Sequence, residues 1–225
     1  MTMYNSLLLQ DTYNNVGTEV LLFHDYSLMV LMLILVMFLF FMKIVFKSTK
    51  FMLKGYYSSE LLEFSWTLVP GLLLISLGVP SLFLMYFMEG ATKYDLTMKA
   101  IGHQWYWSYE INEFGGELAF DSYMNNEIQN STYRLLDVDQ HVELPYMTKV
   151  RVLVSSTDVL HAWALPSMGI KVDACPGRLN LLSIYSFRPG SIFGQCSEIC
   201  GVNHSFMPIH LEFSDWNNFL KGIVT

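Results

Sequence analysis

Leu28-Met-Val-Leu-Met-Leu-Ile-Leu-Val-Met-Phe-Leu-Phe-Phe-Met42 is an unbroken apolar run. With Lys43 snorkelling, the stretch from Ser27 to Phe46 reaches the roughly 20 residues a helix needs to cross a bilayer. Phe64 to Met88 is a second stretch without a charge, interrupted by Pro70, Gly71, Gly78 and Pro80. A membrane helix tolerates such residues when neighbouring helices satisfy the freed backbone groups. Pro70 predicts a kink and, with it, packing partners. A buried core helix of a soluble domain would not run so far without a charge. The first run begins too late, and is too long, for a signal-peptide core, and lysines follow it rather than a small-residue cleavage site. Both runs are therefore expected to persist as spans.

Composition agrees. The chain is 52% hydrophobic and only 15% charged, with 14 Met and 16 Phe, which is not the balance of a soluble domain. Lys43, Lys47, Lys50 and Lys54 stand between the spans against Glu60 and Glu63, whereas the N-terminal segment carries Asp11, Glu19 and Asp25 and no Lys or Arg. The positive-inside rule puts the connecting loop inside and both termini outside. The expected organisation is an outer N-terminal segment (1–26), a first span (27–46), an inner loop (47–62), a second span (63–88) and an outer domain (89–225).

The outer domain reads as β. Val150, Val152 and Val154 alternate with Arg151, Leu153 and Ser155, the period of a strand with one buried face. Leu179 to Phe187 and Ile209 to Phe213 are similar, and Gly115-Gly116, Pro166, Pro176-Gly177 and Pro189-Gly190 punctuate them as turns. Short strands with no helix before Asp215 to Lys221 predict an antiparallel sandwich or barrel. From residue 91 on, 14 Asp and Glu oppose 9 Lys and Arg. The acids include Glu110, Glu113, Glu117, Asp121, Asp137, Asp139 and Asp158. They form either an ordinary solvated surface or a field that steers a basic partner. With no basic patch, nucleic acid is not an expected partner.

Two segments carry chemistry. Gly102-His-Gln-Trp-Tyr-Trp-Ser-Tyr-Glu110, read as a strand, puts Trp105, Trp107 and Tyr109 on one face and Tyr106 with Glu110 on the other. Such a cluster is core packing, an interfacial aromatic belt, or a ring exposed at a docking surface as an electron relay. Cys196-Ser-Glu-Ile-Cys-Gly-Val-Asn-His-Ser-Phe-Met207 brings two thiols, an imidazole and a thioether into one loop as C-x3-C-x3-H-x2-M. Asp158-Val-Leu-His-Ala-Trp163 adds a distant His161. Soft donors of this kind suit copper, and a single blue-copper ion takes two His, one Cys and a weak Met. The additional thiolate points to two metals bridged by sulfur. Structural zinc and a disulfide are the alternatives; zinc sites prefer two separated Cys pairs about two to four residues apart and make little use of Met.

Gly102 to Glu110, Ser155 to Trp163 and Gly194-Gln-Cys-Ser-Glu-Ile-Cys-Gly-Val-Asn-His-Ser-Phe-Met-Pro208 together closely resemble subunit II of cytochrome c oxidase, in its mitochondrially encoded form. The resemblance covers nearly the whole chain and is weakest in residues 1 to 58. It implies a two-helix transmembrane hairpin with an all-β, cupredoxin-like Greek-key barrel in the intermembrane space of the mitochondrial inner membrane. It implies a dinuclear copper centre bridged by Cys196 and Cys200, with His161 and His204 each on one copper, Met207 as a weak axial ligand and the Glu198 carbonyl on the other ion. The Glu198 carboxylate would help bind magnesium shared with the catalytic subunit I.

By the same resemblance, Trp105 receives electrons from cytochrome c with Tyr106 alongside, and Glu110, Asp139 and Asp158 help dock that basic partner. Glu63 sits near the mouth of a proton pathway into subunit I or merely snorkels as an interfacial charge. Cys175 departs from the metal pattern and is expected to pack as a small buried hydrophobe. The spans offer no haem-ligand constellation, so oxygen reduction and most proton pumping fall to a partner subunit. A quinol-oxidase relative would lack these ligands, and a membrane-tethered copper carrier would not need Trp105 or the acidic face.

Overall fold

The computed structural model describes residues 8–47, 58–89, 93–113, 116–126 and 133–224. Most of the expected inner loop, with Lys50 and Lys54, and the Gly115 turn position lie outside them. The chain divides into two compact units: residues 19–87, and residues 88–225 together with the N-terminal segment up to Thr18.

The first unit consists of two helices, α1 (Asn15–Lys47), whose first turn belongs to the second unit, and α2 (Glu60–Glu89). Helix α1 extends well ahead of residue 27. Helix α2 runs through Pro70 and Pro80 without interruption. Both are long and apolar enough to cross a membrane. Leu31, Phe38, Leu39 and Phe40 of α1 and Leu74, Ile75, Val79 and Phe83 of α2 are each more than half exposed. So much uncovered apolar surface would be a liability in water and matches a lipid-facing one.

Among the described residues, the second unit holds ten strands and one α-helix: β1 (Leu96–His103), β2 (Tyr106–Glu113), β3 (Gly116–Ser122), β4 (Val142–Pro145), β5 (Val150–Ser156), β6 (His161–Leu165), β7 (Ile170–Ala174), β8 (Asn180–Ile184), β9 (Gly190–Gln195), β10 (Pro208–Ser214) and α3 (Trp216–Val224). They form a five-stranded sheet in the order β3-β2-β1-β5-β8, a three-stranded sheet β4-β10-β9 and the pair β6-β7. Strand β5 keeps the alternation read from its valines: Val150, Val152 and Val154 are fully buried and Arg151, Leu153 and Ser155 only partly. Met98 and Ala100 from β1, Trp107 and Tyr109 from β2, Trp163 from β6 and Ile209, Leu211 and Phe213 from β10 share one core. The Met, Ile, Leu and Phe side chains among them each contribute roughly 1.5–3 kcal/mol by leaving water.

Four expectations need correction. The sheets are mixed, because β1 pairs with β5 and β4 with β10 in parallel; chain segments long enough to cross over connect these pairs, as parallel pairing requires. The cupredoxin-like sheets do not close into a barrel. Gly102 to Glu110 is not one strand: β1 and β2 form a hairpin turning at Gln104-Trp105, with His103 paired to Tyr106. Trp105 therefore leaves the face of Trp107 and Tyr109, which are buried, and is itself partly exposed. Cys175 is only half-buried.

The N-terminal segment is tied into the second unit. Asn14 caps α1, its Oδ1 accepting from the Gly17 N–H at 2.7 Å. Tyr13 donates its N–H to the Ser167 carbonyl at 3.1 Å and accepts from the Phe187 N–H at 3.1 Å. The Arg188 guanidinium lies 4.2 Å from the centre of the Tyr13 ring.

Candidate metal centre

Strands β9 and β10 are antiparallel with Gln195 opposite Pro208. Their ladder therefore closes the twelve-residue connection between them, Cys196 to Met207, so that both ends start from adjacent points. The Ser197 N–H donates to the Ala162 carbonyl at 3.1 Å, which sets Cys196 beside His161 at the start of β6. Two glycines make this approach possible. A Cβ on Gly194 would stand 1.9 Å from the Ala164 carbonyl oxygen, and a Cβ on Gly102 would stand 2.9 Å from the His161 ring. In a strand interior, Gly marks such close passages.

The predicted donors converge. The Cys196 Sγ lies 3.8 Å from His161 Nδ1, 3.4 Å from the Glu198 carbonyl oxygen and 4.0 Å from Cys200 Sγ. The Cys200 Sγ lies 3.4 Å from His204 Nδ1 and 3.6 Å from Met207 Sδ. Atoms on His161, Cys196 and Cys200 all fall within 4.8 Å of one another. All three cysteines are free; the sulfur separation is about twice the ~2.05 Å of a disulfide bond. It does suit two thiolates sharing a metal with bonds of about 2.3 Å. The donors are imidazole nitrogen, thiolate, thioether and one carbonyl, a set that favours copper over hard cations. His161, Cys196, Cys200 and Met207 are buried, so the pocket is dry as well as soft.

Electrostatics divides the two thiols. Burial opposes ionisation of Cys196, but hydrogen bonds from His161 and from the backbone at Ala162 and Glu198 bring its pKa down to about 7. Burial and the adjacent Cys196 thiolate push Cys200 up to about 12. One thiol therefore ionises more readily than the other, and binding a metal here releases protons.

Asp158 orients His161. Its Oδ1 stands 2.8 Å from His161 Nε2, which leaves Nδ1 for the cluster, and its carboxylate also accepts from the N–H groups of Val159 at 2.6 Å and Gln104 at 2.7 Å. Burial would raise the Asp158 pKa, but these hydrogen bonds outweigh it and hold the carboxyl below the usual range. His161 moves the other way: burial lowers its pKa, yet the bonds to Cys196 and Asp158 prevail and raise it. A carboxylate behind a ligating imidazole fixes its tautomer and ring direction.

The β1–β2 tip latches onto the loop. Gln104 Nε2 donates to the Cys200 carbonyl at 2.9 Å and Trp105 Nε1 to the same oxygen at 3.3 Å. Trp107 Nε1 donates to the Met207 carbonyl at 3.3 Å, and its ring meets His161 edge-on at 5.9 Å. Tyr106 stacks between His103 and Tyr123, at 4.5 and 4.4 Å. Trp105, Tyr106, Tyr123, Met124 and Phe206 line an open groove beside the loop.

The remaining predicted residues are dispersed. Glu198 is half-buried on the loop, its carbonyl turned to Cys196. Glu110 pairs with Lys99 at 2.6 Å, and Asp139 accepts the N–H groups of Tyr123 at 2.8 Å and Gln140 at 2.7 Å. Glu63 is exposed in the first turn of α2. Sequence reasoning missed the orienting role of Asp158, the Gln104 latch and the two glycines. The glycines alone carried a legible signal, as isolated Gly within strand patterns.

A sequence model described as "Cytochrome C oxidase subunit II, periplasmic domain" matches residues 96–214, and one described as its transmembrane domain matches residues 2–84. Cytochrome c oxidase subunit 2 of Periplaneta americana is 44% identical over 226 residues, covering 100% of this chain and 98% of the relative. That of Oncopeltus fasciatus is 45% identical over 228 residues, covering 99% and 97%. The crystal structure of the periplasmic domain of subunit II of cytochrome oxidase from Bradyrhizobium japonicum superposes with a TM-score of 0.55 at 44% identity, over 59% of this chain and 94% of that one. With its two apolar helices, its mixed-sheet outer domain and matches along nearly its full length, the chain belongs to the cytochrome c oxidase subunit II family, the membrane-bound component of a haem–copper respiratory oxidase.

Proposed function

We propose that this chain accepts electrons from reduced cytochrome c at a dinuclear copper centre and passes them to haem in subunit I, where oxygen is reduced to water with proton pumping. The observation that carries this reading is the gathering of His161 Nδ1, Cys196 Sγ, Glu198 O, Cys200 Sγ, His204 Nδ1 and Met207 Sδ through separations of 3.4 to 4.0 Å. Cys196, Cys200, His161 and His204, and more weakly Met207 and the Glu198 carbonyl, would hold the two copper ions, which when bound would supply a one-electron store that changes little in geometry.

The protein's part is positioning. Asp158 holds the His161 ring, Gly102 leaves room for it, Gly194 lets β9 pass close to Ala164, and the dry pocket keeps solvent rearrangement small. Trp105 receives the electron. Its indole is half in the groove and half on the loop, one hydrogen bond from the Cys200 carbonyl. Tyr106 extends the same aromatic surface. Asp139 and Glu110 lend negative potential to the docking of a basic protein, and Asp158 adds to it while committed to His161. The Glu198 carboxylate, a hard oxygen donor, suits magnesium shared with subunit I. The lysine-rich loop lies in the matrix, both termini and the outer domain lie in the intermembrane space of the mitochondrial inner membrane, and Glu63 is the residue at the mouth of a proton path.

Metal analysis and electron paramagnetic resonance of the purified oxidase test the proposal. Two coppers in this subunit sharing one unpaired electron are expected; a single zinc, with no such signal, would overturn it.

A further inference from the structure

A second group of metal-binding side chains sits away from the loop, on the outer face of the β4-β10-β9 sheet. Parallel pairing of β4 with β10 sets Leu211 opposite Val142, so the residues just before them, His210 and His141, lie side by side. Their ring centres are 5.0 Å apart. Glu212 shares the face of His210, two residues further along β10, and its Oε2 stands 3.0 Å from His141 Nε2. Asp137, in the segment before β4, brings Oδ1 to 3.4 Å from His210 Nδ1. Opposite, Phe193 of β9 packs against His210 with the rings tilted and their centres 4.4 Å apart.

His210 is the anomaly. Its side chain is 11% exposed, and neither ring nitrogen makes a hydrogen bond, Asp137 being near but out of alignment. Buried polar groups are nearly always paired, and one left unpaired is costly enough to call for an explanation such as an ion. Burial, and then the neighbouring His141, push its pKa down to about 4. The ring is therefore neutral, the form that binds metals.

We propose that His141, His210, Asp137 and Glu212 form a second metal site, for zinc or a similar divalent ion that takes imidazole and carboxylate ligands. The 3.4 Å between Asp137 Oδ1 and His210 Nδ1 is the separation of two ligands each about 2.1 Å from one tetrahedral ion. His141 and Glu212 have side chains 41% and 44% exposed, so both have room to turn toward the same point. The bound ion ties β10, which starts at the loop carrying Met207, to β4 and to the Asp137 segment. The rival is plain packing, with His210 serving only as an aromatic ring between Phe193 and His141.

The test uses the copper-loaded oxidase, so that the cysteine loop is already filled, and measures bound Zn2+ by equilibrium dialysis. His210→Phe keeps an aromatic ring in place and removes the nitrogens; His141→Phe does the same at a position whose side chain is 41% exposed. Both variants are expected to bind one zinc equivalent fewer than wild type, or to bind it at least 100-fold more weakly, with the copper signal unchanged. Retention of every zinc equivalent with unchanged affinity in His141→Phe, or in a His210→Phe enzyme with intact copper, overturns the site and leaves the packing role.

Discussion

His161 and His210 are both largely withdrawn from solvent, and their pKa values move in opposite directions. His161 is raised because a carboxylate and a thiol engage its two nitrogens. His210 is lowered to about 4, with a second imidazole beside it and no hydrogen bond on either nitrogen. Burial is common to both, so the partners decide the outcome. At the loop, a carboxylate and a thiol fix the direction of one imidazole. On the β4-β10-β9 face the other stays neutral.

The largest effect is expected at the loop. Cys200→Ser should abolish the copper pair, read as loss of its paramagnetic signal and of electron transfer; a normal mixed-valence signal in that variant would break the bridging assignment. Gly194→Ala forces β9 away from the Ala164 carbonyl and should cost about 3 kcal/mol or more, seen as a lowered unfolding temperature of the chain in detergent. If the variant unfolds like wild type, the close passage of β9 over β6 is not what holds Cys196 beside His161. Asp158→Asn removes the orienting carboxylate and should weaken copper binding about 10–100-fold, measured by competition with a chelator.

The fourth prediction separates the two histidines directly. His210 binds no proton in the folded state until pH nears 4, whereas an unfolded histidine takes one up near pH 6.5. The unfolded state therefore binds more protons in that window, and stability falls as pH drops through it. His210→Phe should flatten this slope in zinc-free protein; an unchanged slope would mean that other groups carry it. The smallest effect belongs to Trp105→Phe. Loss of the bond to the Cys200 carbonyl should cost about 1 kcal/mol. The proposed role in electron input predicts slower cytochrome c oxidation with the copper spectrum unchanged, whereas unchanged turnover at low ionic strength would return Trp105 to a packing role.

The two spans and the alternating β5 were legible because each depends on a local pattern, an apolar run or a period of two. The ligand loop was legible because its donors lie within twelve residues. What stayed hidden depends on contacts between distant segments. The turn positions Gln104 and Trp105 carry neither the Gly nor the Asn of a tight hairpin turn, so the break there could not be read, although the Asp158 carboxylate anchors it. Asp158 itself looked like one acid among many until β6 placed its neighbour His161 in the cluster. His141 and His210 meet only through the parallel register of β4 and β10, which no sequence period encodes.

The Cys200 carbonyl accepts from both Gln104 and Trp105. The hairpin tip and the cysteine loop therefore brace one another, and a change in the shape of either is felt by the other. On the role proposed for Trp105, a partner that fits itself to that ring also meets the shape of the loop beneath it.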